Sequence, residues 1–247
     1  MLTITILVPA LNEEPRIAKT LDTALGALSS PDLEAQILVV DDGSTDATAA
    51  IVADYSLRHP SVTLLRHPRN RGLGQALRTA LQHAKGEKFL IVPGDNDLPA
   101  DTIRLLVSQA GAADLVMCYF PDRGQRGRMR KAISALFGWI YSTVFDVHVE
   151  YLNGPCVYPT ARLRQLQLFS NRFSIVTEIN VKLLRQGVSF LEMPSLRQTG
   201  LEGSTSLSFR NLREVTAAFF RLGCEIHLKN RRAYGLRPRR VLPSTIG

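Results

Sequence analysis

Apolar, β-branched runs alternate with segments of helical periodicity through the first 118 residues of the chain, and this order constrains the fold more than any other feature. Runs at residues 3–8 and 36–40 flank residues 15–28, where apolar side chains recur at helical spacing. The same order continues as helix 44–58, strand 62–65, helix 73–84, strand 88–92, helix 101–110 and strand 114–118. Consecutive βα units build a mostly parallel sheet covered by helices on both faces. The sequence therefore predicts an α/β fold with one central sheet.

The helix predicted at 44–58 carries a start signal in its first residues. Ser44 or Thr45 can accept a hydrogen bond from a backbone N–H of the first turn. Asp46 would then lie within that turn, where the helix dipole favours a carboxylate. The helix is thus expected to begin near residue 44.

The second half of the chain is less regular. Residues 132–145 form an uncharged run that is too short for a bilayer span of about 20 residues. The run predicts either a buried helix or a helix in a membrane interface, because basic residues precede it and Trp139 and Tyr141 suit the headgroup level. Further along, the pattern predicts a helix at 175–186, a strand at 188–193 and an amphipathic helix at 212–228.

Polar residues follow three of the predicted strands where each strand ends. They lie at 9–13, at Asp41 and Asp42, and at the triplet Asp95, Asn96 and Asp97. The carboxyl ends of parallel strands meet at one sheet edge, where α/β proteins bind ligands. Asp95 and Asp97 are expected to hold Mg²⁺ or Mn²⁺, since hard cations prefer oxygen ligands and leave positions for phosphate oxygens.

The same strand ends predict a site for a nucleotide. The turn after the first strand presents backbone groups and a carboxylate to a base or ribose, and Asp41 and Asp42 can accept hydrogen bonds from them. Gly72 and Gly74 allow close backbone approach at the start of a helix, where Arg71 favours phosphate. Asn96 could reach a ribose hydroxyl. The predicted nucleotide-binding residues are Pro9, Ala10, Leu11, Asn12, Glu13, Asp41, Asp42, Arg71, Gly72, Gly74, Asp95 and Asn96.

Composition and charge narrow the possible partners. The chain has 247 residues, is 45% hydrophobic and 21% charged, and carries a net charge of +8. These values indicate a globular protein with a full core. Its basic residues cluster near 123–131 and 229–240 and indicate an anionic partner, such as phosphate groups, a membrane surface or nucleic acid. Three cysteines without a CxxC pair argue against a structural zinc site or a disulfide framework.

Several motifs resemble family 2 of the inverting GT-A glycosyltransferases. They are VPALNEE, VVDDGSTDAT, NRGLGQALRTAL and the DND triplet, which together cover residues 3–110. Looser downstream features are similar to the dolichyl- or polyprenyl-phosphate sugar synthases: Arg130 with Ser134, Asp146, Asn153-Gly154, residues 173–178, and Glu192-Met193-Pro194 with Arg197. The resemblance implies a GT-A fold, a UDP- or GDP-linked sugar donor, Mg²⁺ or Mn²⁺, and a polyprenyl phosphate acceptor.

The resemblance also implies roles for individual residues. Asp97, Arg130 and Glu178 are the expected catalytic residues. A lipid phosphate is already ionised and needs no general base, whereas an alcohol acceptor would need a carboxylate, with Glu178 and Asp146 as candidates. The acceptor phosphate would meet Arg123, Arg128, Arg130, Ser134 and Arg197.

The chain departs from that branch at two places. Leu98-Pro99 stand where the branch carries a glutamine that helps to bind the metal, and the spacing after Arg197 is longer than usual. Two alternatives therefore stay open. One is a soluble transferase acting on a hydroxyl of a glycan or small metabolite, and the other is an inactive module that binds a nucleotide sugar.

The predicted organisation is a single catalytic domain at 1–228 with a basic tail at 229–247. A donor half of about 1–118 precedes an acceptor half of about 119–228. Lacking a signal peptide and a spanning segment, the protein is expected on the cytoplasmic face of a membrane, bound peripherally. An anionic membrane surface is an expected partner and nucleic acid is not.

Overall fold

The structure is a computed structural model that describes residues 1–30, 32–121, 128–172, 174–195 and 209–242. At 128–134 and 209–212 the description covers the backbone alone. The eight strands are β1 (Leu2–Ala10), β2 (Leu33–Asp41), β3 (Val62–Arg66), β4 (Lys88–Ile91), β5 (Leu115–Tyr119), β6 (Cys156–Pro159), β7 (Ser189–Pro194) and β8 (Arg239–Val241). The helices are α1 (Ile17–Ala27), α2 (Thr48–Arg58), α3 (Leu73–His83), α4 (Ala100–Ser108), α5 (Arg128–Phe145), α6 (Thr160–Gln165), α7 (Ser174–Arg185) and α8 (Phe209–Cys224), which a π-helical turn at Glu225–Lys229 follows.

The strands form one sheet in the order β3-β2-β1-β4-β6-β5-β7-β8. Strand β6 is antiparallel to both of its neighbours, β4 and β5, and the other pairs in the sheet are parallel. The predicted α/β class with a mostly parallel sheet is therefore confirmed. Ala10 pairs with Asp41 in register, so the polar segments that follow β1 and β2 leave the sheet side by side.

Helices cover both faces of the sheet, and successive strand residues belong to different cores. Leu7 packs with α3, α5 and α7 on one face, while Ile6 and Val8 pack with α1, α2 and α4 on the other. A strand that is buried on both sides favours apolar residues at successive positions, which explains the apolar runs at 6–8 in β1 and 37–40 in β2. The two cores hold the sheet rigid beneath the loops at its carboxyl edge.

The start of α2 differs from the prediction. The helix begins at Thr48, and Asp46 precedes it and accepts hydrogen bonds from the Thr48 N–H and hydroxyl at 3.0 and 2.6 Å. Ser44 does not cap the helix, because its hydroxyl accepts the Asn12 N–H at 2.9 Å. Thr45 instead donates its N–H to Asn12 Oδ1. These polar side chains tie the loop after β2 to the loop after β1.

Helix α5 is partly buried, and Tyr141, which was expected at the headgroup level, lies in the core, so that expectation is wrong for this residue. Tyr141 and Phe145 are buried against α8, while Leu136 and Trp139 are 56% and 65% exposed. Among the described helices, none is both long and apolar enough to cross a bilayer.

Three elements were absent from the sequence prediction. Strand β6 and helix α6 span only four and six residues and lack a clear period. Strand β8 lies within the segment predicted as a basic tail and extends the sheet beside β7. Its exposed arginines give no alternating apolar pattern, so its pairing could not be foreseen from hydropathy.

Candidate functional site

A cavity of about 660 Å³ opens where β1 and β4 end. Residues at the ends of these strands and at the start of α3 line what we call its strand-end side: Pro9, Ala10, Leu11, Glu13, Asp42, Arg71, Gly72, Leu73, Asp95 and Asp97. Residues from the second half of the chain line what we call its loop side: Phe120, Tyr151, Asn153, Gly154, Tyr158, Asn171, Arg172 and Val176.

Four carboxylates lie on the strand-end side, those of Glu13, Asp42, Asp95 and Asp97. Asp95 and Asp97 share a tight turn in which the Asp97 N–H donates to Asp95 Oδ1 at 3.2 Å. Burial raises the pKa of Glu13 above its ordinary value, and the nearby charge of Asp95 raises it further. Gly94 brings this turn against β1, since an added Cβ would lie 2.7 Å from the Pro9 carbonyl oxygen. The turn therefore concentrates negative charge at the cavity wall.

The same turn fits the predicted divalent cation in part. No group of three His, Cys, Asp or Glu side chains among the described residues is arranged to hold a metal. Asp95 and Asp97 nevertheless offer two hard oxygen donors at the cavity surface, and Mg²⁺ commonly takes one or two carboxylates and fills its other positions with water and substrate phosphates. The donor set therefore suits a cation that a phosphorylated ligand helps to hold.

Asp42 organises the glycine turn before α3. Its carboxylate accepts the N–H groups of Arg71 at 3.0 Å and Gly72 at 2.7 Å, and His67 Nδ1 lies 2.7 Å away. Gly72 has a φ of 86°, and an added Cβ would meet the Asn171 carbonyl oxygen at 2.4 Å. Only glycine fits this position. Asp42 touches the cavity, but its oxygens already hold the turn that presents Arg71.

Four residues predicted to bind the nucleotide, Asn12, Asp41, Gly74 and Asn96, are absent from the described lining of the cavity. Asp41 is fully buried and accepts the Ser44 N–H and the Arg66 guanidinium. Asn12 and Asn96 adopt positive φ values of 56° and 58°. Their side-chain oxygens accept hydrogen bonds from Thr45 and Thr23, so both side chains stabilise the strand-end loops.

Gly74 also packs against protein rather than facing the cavity. Its N–H donates to the Asn171 carbonyl at 3.0 Å, and an added Cβ would lie 2.4 Å from the Ser170 carbonyl oxygen. The first turn of α3 is thus covered by the loop at 166–172. Gly72 therefore lies at the cavity surface, whereas Gly74 packs against the backbone of residues 170–171.

The assignment of Glu178 as a catalytic residue is not supported by its position. Glu178 is 1% exposed and outside the described lining of the cavity. Its carboxylate accepts the N–H groups of Phe169 and Ser170 and pairs with Lys182 Nζ at 2.8 Å. Asp146, the other candidate base, pairs with Arg185 and Arg237 at 3.2 and 3.3 Å. Both carboxylates are engaged in structural ion pairs away from the cavity.

The residues predicted to bind the acceptor phosphate are untested. Arg123 and Arg197 lie outside the described residues. Arg128, Arg130 and Ser134 lie in the first turns of α5, where the description covers only the backbone.

Several cavity residues were missed by the sequence analysis, above all Asn171 and Arg172. They lie on a loop between two short helices and belong to no recognisable motif. Tyr151 and Phe120 make an edge-on ring contact at 6.2 Å. Gly154 was noted in the sequence and proves sterically required, since an added Cβ would lie 2.1 Å from the Cys118 carbonyl oxygen. The sequence indicates Asn171 only indirectly. Two glycines spaced as closely as Gly72 and Gly74 suggest that another backbone segment packs against them, and residues 170–171 form that segment.

A mostly parallel sheet with a cavity and an acidic turn at its carboxyl edge is the GT-A arrangement predicted from the sequence. Solved structures of this kind share the fold. Mannosyl-3-phosphoglycerate synthase from Rubrobacter xylanophilus superposes with a TM-score of 0.69 at 18% identity, covering 93% of this chain and 75% of that chain. Glucosyl-3-phosphoglycerate synthase from Mycobacterium tuberculosis, solved with Mn²⁺, UDP and phosphoglyceric acid, gives 0.69 at 17% identity over 90% of this chain and 78% of that chain.

The family follows from the sequence match. Residues 5–173 fit the model of Glycosyl transferase family 2, and the chain belongs to that family. A dolichyl-phosphate beta-glucosyltransferase of Trichomonas vaginalis is 39% identical over 102 residues, which are 39% of this chain and 30% of that protein. A prophage bactoprenol glucosyl transferase homolog of Escherichia coli is 32% identical over 149 residues, which are 60% of this chain and 48% of that protein. The matches thus span at most about half of these relatives.

Proposed function

We propose that the protein transfers a sugar from a nucleotide diphosphate donor to a polyprenyl phosphate at a membrane surface. The observation that carries this proposal is the strand-end side of the cavity, where the Asp95–Asp97 turn and the Arg71–Gly72 turn line one space. Cationic side chains and a divalent metal both compensate the charge of a diphosphate, and these two turns would provide them. The names of the relatives in Trichomonas vaginalis and Escherichia coli indicate a lipid phosphate as the acceptor.

The donor would lie along the ends of β1 and β4. Pro9, Ala10 and Leu11 would pack against the nucleoside, while Arg71 and the N-terminus of α3 would meet the phosphates. Asp95 and Asp97 would hold Mg²⁺ or Mn²⁺, which when bound would offset the charge of the leaving diphosphate. Because Leu98 and Pro99 provide no further ligand, water or substrate would complete the coordination.

The acceptor would attack the anomeric carbon directly and invert its configuration. A phosphate monoester is already anionic near neutral pH, so the attack requires no protein base. The positions of Glu178 and Asp146, both outside the described cavity lining, favour this acceptor over an alcohol. The basic residues at the start of α5, among them Arg128 and Arg130, would receive the acceptor phosphate.

The exposed side of α5 would rest on the membrane. Leu136 and Trp139 project from a helix that has no charged residue from Ala132 to Phe145, and Trp side chains favour the lipid headgroup level. A peripheral position on the cytoplasmic face, where nucleotide sugars are available, fits this proposal.

The proposal is tested by a transfer assay with radiolabelled UDP- and GDP-sugars, Mn²⁺ or Mg²⁺, and undecaprenyl or dolichyl phosphate in detergent. We expect label in the butanol phase that requires the metal and disappears with EDTA. The donor that gives label identifies the nucleotide and the sugar. Donor turnover without a lipid product would reject the lipid acceptor and point to a hydroxyl acceptor. Donor binding without any turnover would indicate an inactive module that binds a nucleotide sugar.

A further inference from the structure

The loop at 166–172 is fixed from one side by Arg78 of helix α3. Arg78 Nη1 donates to Asn171 Oδ1 at 2.8 Å, and Nη2 donates to the carbonyls of Leu168 and Ser170 at 2.7 and 3.2 Å. The Gly74 N–H adds a bond to the Asn171 carbonyl. One guanidinium therefore joins three points of the loop to the helix that follows the glycine turn.

Glu178 of helix α7 fixes the same loop through its backbone N–H groups. Its carboxylate accepts the N–H groups of Phe169 and Ser170 at 3.0 and 2.9 Å. Lys182 neutralises it at 2.8 Å and donates to the Gln167 carbonyl. Lys182 and Glu178 are both buried, and removing one member of a buried charge network is costly. The loop is consequently held at its carbonyls and at its N–H groups, which makes it a rigid platform.

Arg172 stands at the end of this platform and lines the cavity. Its side chain is 48% exposed, and its Nε lies 3.4 Å from Glu214 Oε2 of helix α8. Among the described residues, none forms a hydrogen bond with its guanidinium group, which has this one long ion pair. By contrast, the guanidinium groups of Arg78 and Arg164 donate hydrogen bonds to backbone carbonyls. Arg172 thus keeps donors available for a ligand.

A second arginine approaches the same part of the cavity. An added Cβ at Gly72 would lie 2.4 Å from the Asn171 carbonyl oxygen, so the two backbone segments are in contact. Arg71 precedes Gly72 and Arg172 follows Asn171, which places the two arginines on these touching segments. Both arginines line the cavity that also holds the Asp95–Asp97 turn. A guanidinium binds phosphate through paired, charge-assisted hydrogen bonds, which gives both affinity and geometry.

We propose that Arg172 binds a phosphate group of a substrate, and that Arg78 and Glu178 are positioning residues that hold its loop. This inference rests on the proposed function and names a further phosphate-binding residue of that site. The phosphate belongs either to the donor diphosphate or to the acceptor, and two measurements separate these sources.

The first experiment compares Arg172→Ala and Arg172→Lys with wild type and with Arg104→Ala. Arg104 is a matched control, because its side chain is half exposed and pairs with Asp101 of the same helix. Calorimetry measures the Kd of UDP and of GDP with Mn²⁺, and the transfer assay measures KM for undecaprenyl phosphate. We expect Arg172→Ala to raise one of these constants roughly 10- to 100-fold, the loss typical of a charge-assisted hydrogen bond. Arg172→Lys should recover part of the lost affinity, and Arg104→Ala should change neither the Kd nor the KM.

Each outcome decides between the sources or overturns the proposal. Weaker binding of UDP or GDP assigns Arg172 to the donor phosphates. A raised KM for undecaprenyl phosphate with an unchanged Kd for the nucleoside diphosphate assigns it to the acceptor. If both constants stay within twofold of wild type, Arg172 binds no phosphate. If wild type transfers nothing to the lipid, the proposed function fails, and the nucleoside diphosphate measurement alone then decides the role of Arg172.

The second experiment tests the platform with Arg78→Ala, Arg78→Lys and the double variant Arg78→Ala/Arg172→Ala. We expect Arg78→Ala to raise the same constant as Arg172→Ala by roughly 3- to 10-fold while kcat stays within about threefold, because Arg78 acts only through the loop. Arg78→Lys should restore part of the affinity, and the double variant should be no worse than Arg172→Ala. Additive losses in the double variant would show that Arg78 does not act through Arg172. Thermal unfolding of each variant identifies any that do not fold.

Discussion

The two sides of the cavity are stabilised in different ways. On the strand-end side, the carboxylate of Asp42 binds neighbouring backbone N–H groups and Gly72 and Gly94 permit close contact between chain segments. On the loop side, charged side chains of α3 and α7 hold the platform, namely the partly exposed Arg78 and the buried pair Glu178 and Lys182. Substitutions on the first side should therefore affect mainly ligand chemistry, whereas substitutions of the buried charges behind the second side should affect mainly folding stability.

The largest effect is expected from Asp97→Asn. The variant loses half of the charge of the metal-binding turn, so transfer should fall by at least about 1000-fold while the fold persists. Initial rates with saturating donor and metal, together with the thermal midpoint, provide the measurement. Asp101→Asn is the matched control, since Asp101 is exposed and pairs with Arg104. Retained activity in Asp97→Asn, or activity that survives EDTA, would refute the metal assignment.

On the loop side, Lys182→Met should cause the greatest loss of stability. Lys182 is buried and pairs with Glu178 at 2.8 Å and Glu225 at 2.9 Å, so its removal leaves two carboxylates without their cation. Breaking such a network costs about 3–5 kcal/mol of the free energy of unfolding. Urea titrations would compare this variant with Lys85→Met at an exposed position. A loss below about 1 kcal/mol would mean that the network contributes little to stability.

Gly72→Ala should weaken both stability and donor binding. The residue has a positive φ, and its Cβ would collide with the Asn171 carbonyl, which predicts a loss of about 1–3 kcal/mol. Gly26→Ala offers a clean contrast, because Gly26 lies in α1 with no atom within 4 Å of an added Cβ. That control should stabilise the protein by about 0.5–1 kcal/mol. Equal midpoints for the two variants would contradict the steric argument.

The smallest effect concerns Glu192 at the edge of the loop side. Burial raises the pKa of Glu192, although the Glu150 N–H and Arg240 favour its charged form. A carboxyl that binds its proton more tightly in the folded state stabilises the fold below its unfolded pKa of 4.5, and this contribution is lost as the pH rises through the folded pKa.

Glu192→Gln should therefore flatten the pH dependence of the free energy of unfolding between about pH 4 and 7, by roughly 1 kcal/mol or less. The thermal midpoint measured across this pH range reports the change. Glu34→Gln, at an exposed position, should leave that dependence as it is in wild type. An unchanged profile for Glu192→Gln would show that burial does not govern this carboxyl.

The contrast between the two sides also explains how far the sequence could predict the molecule. The central strands β1, β2 and β4 and helices α1 and α3 follow directly from apolar periodicity, and the Asp95–Asp97 turn follows from its place after a strand. These features depend on residues that are close together in the chain. The family and the α/β fold were predicted for that reason.

The loop side depends on tertiary contacts that a single sequence does not reveal, whether they span 90 residues, as from Arg78 to Leu168, or only 9, as from Glu178 to Phe169. Nothing near Glu178 indicates that it binds the N–H groups of Phe169 and Ser170, and its place in a downstream motif suggested catalysis instead. Asn96 illustrates the same difficulty on the strand-end side, where Thr23 of α1 accounts for its orientation. Predicting either residue would require the tertiary partners.

The position of β6 between β4 and β5 has a consequence for how the protein is made. Strands β1 to β4 pair among themselves and can assemble once the first 91 residues have left the ribosome. Strand β5 has no neighbour in the sheet until β6 and then β7 are synthesised. Its backbone therefore stays without strand partners, and its apolar side chains stay exposed, until that point of synthesis. Unpaired strand edges promote aggregation during folding. We expect nascent chains that stop between β5 and β6 to depend most strongly on chaperones.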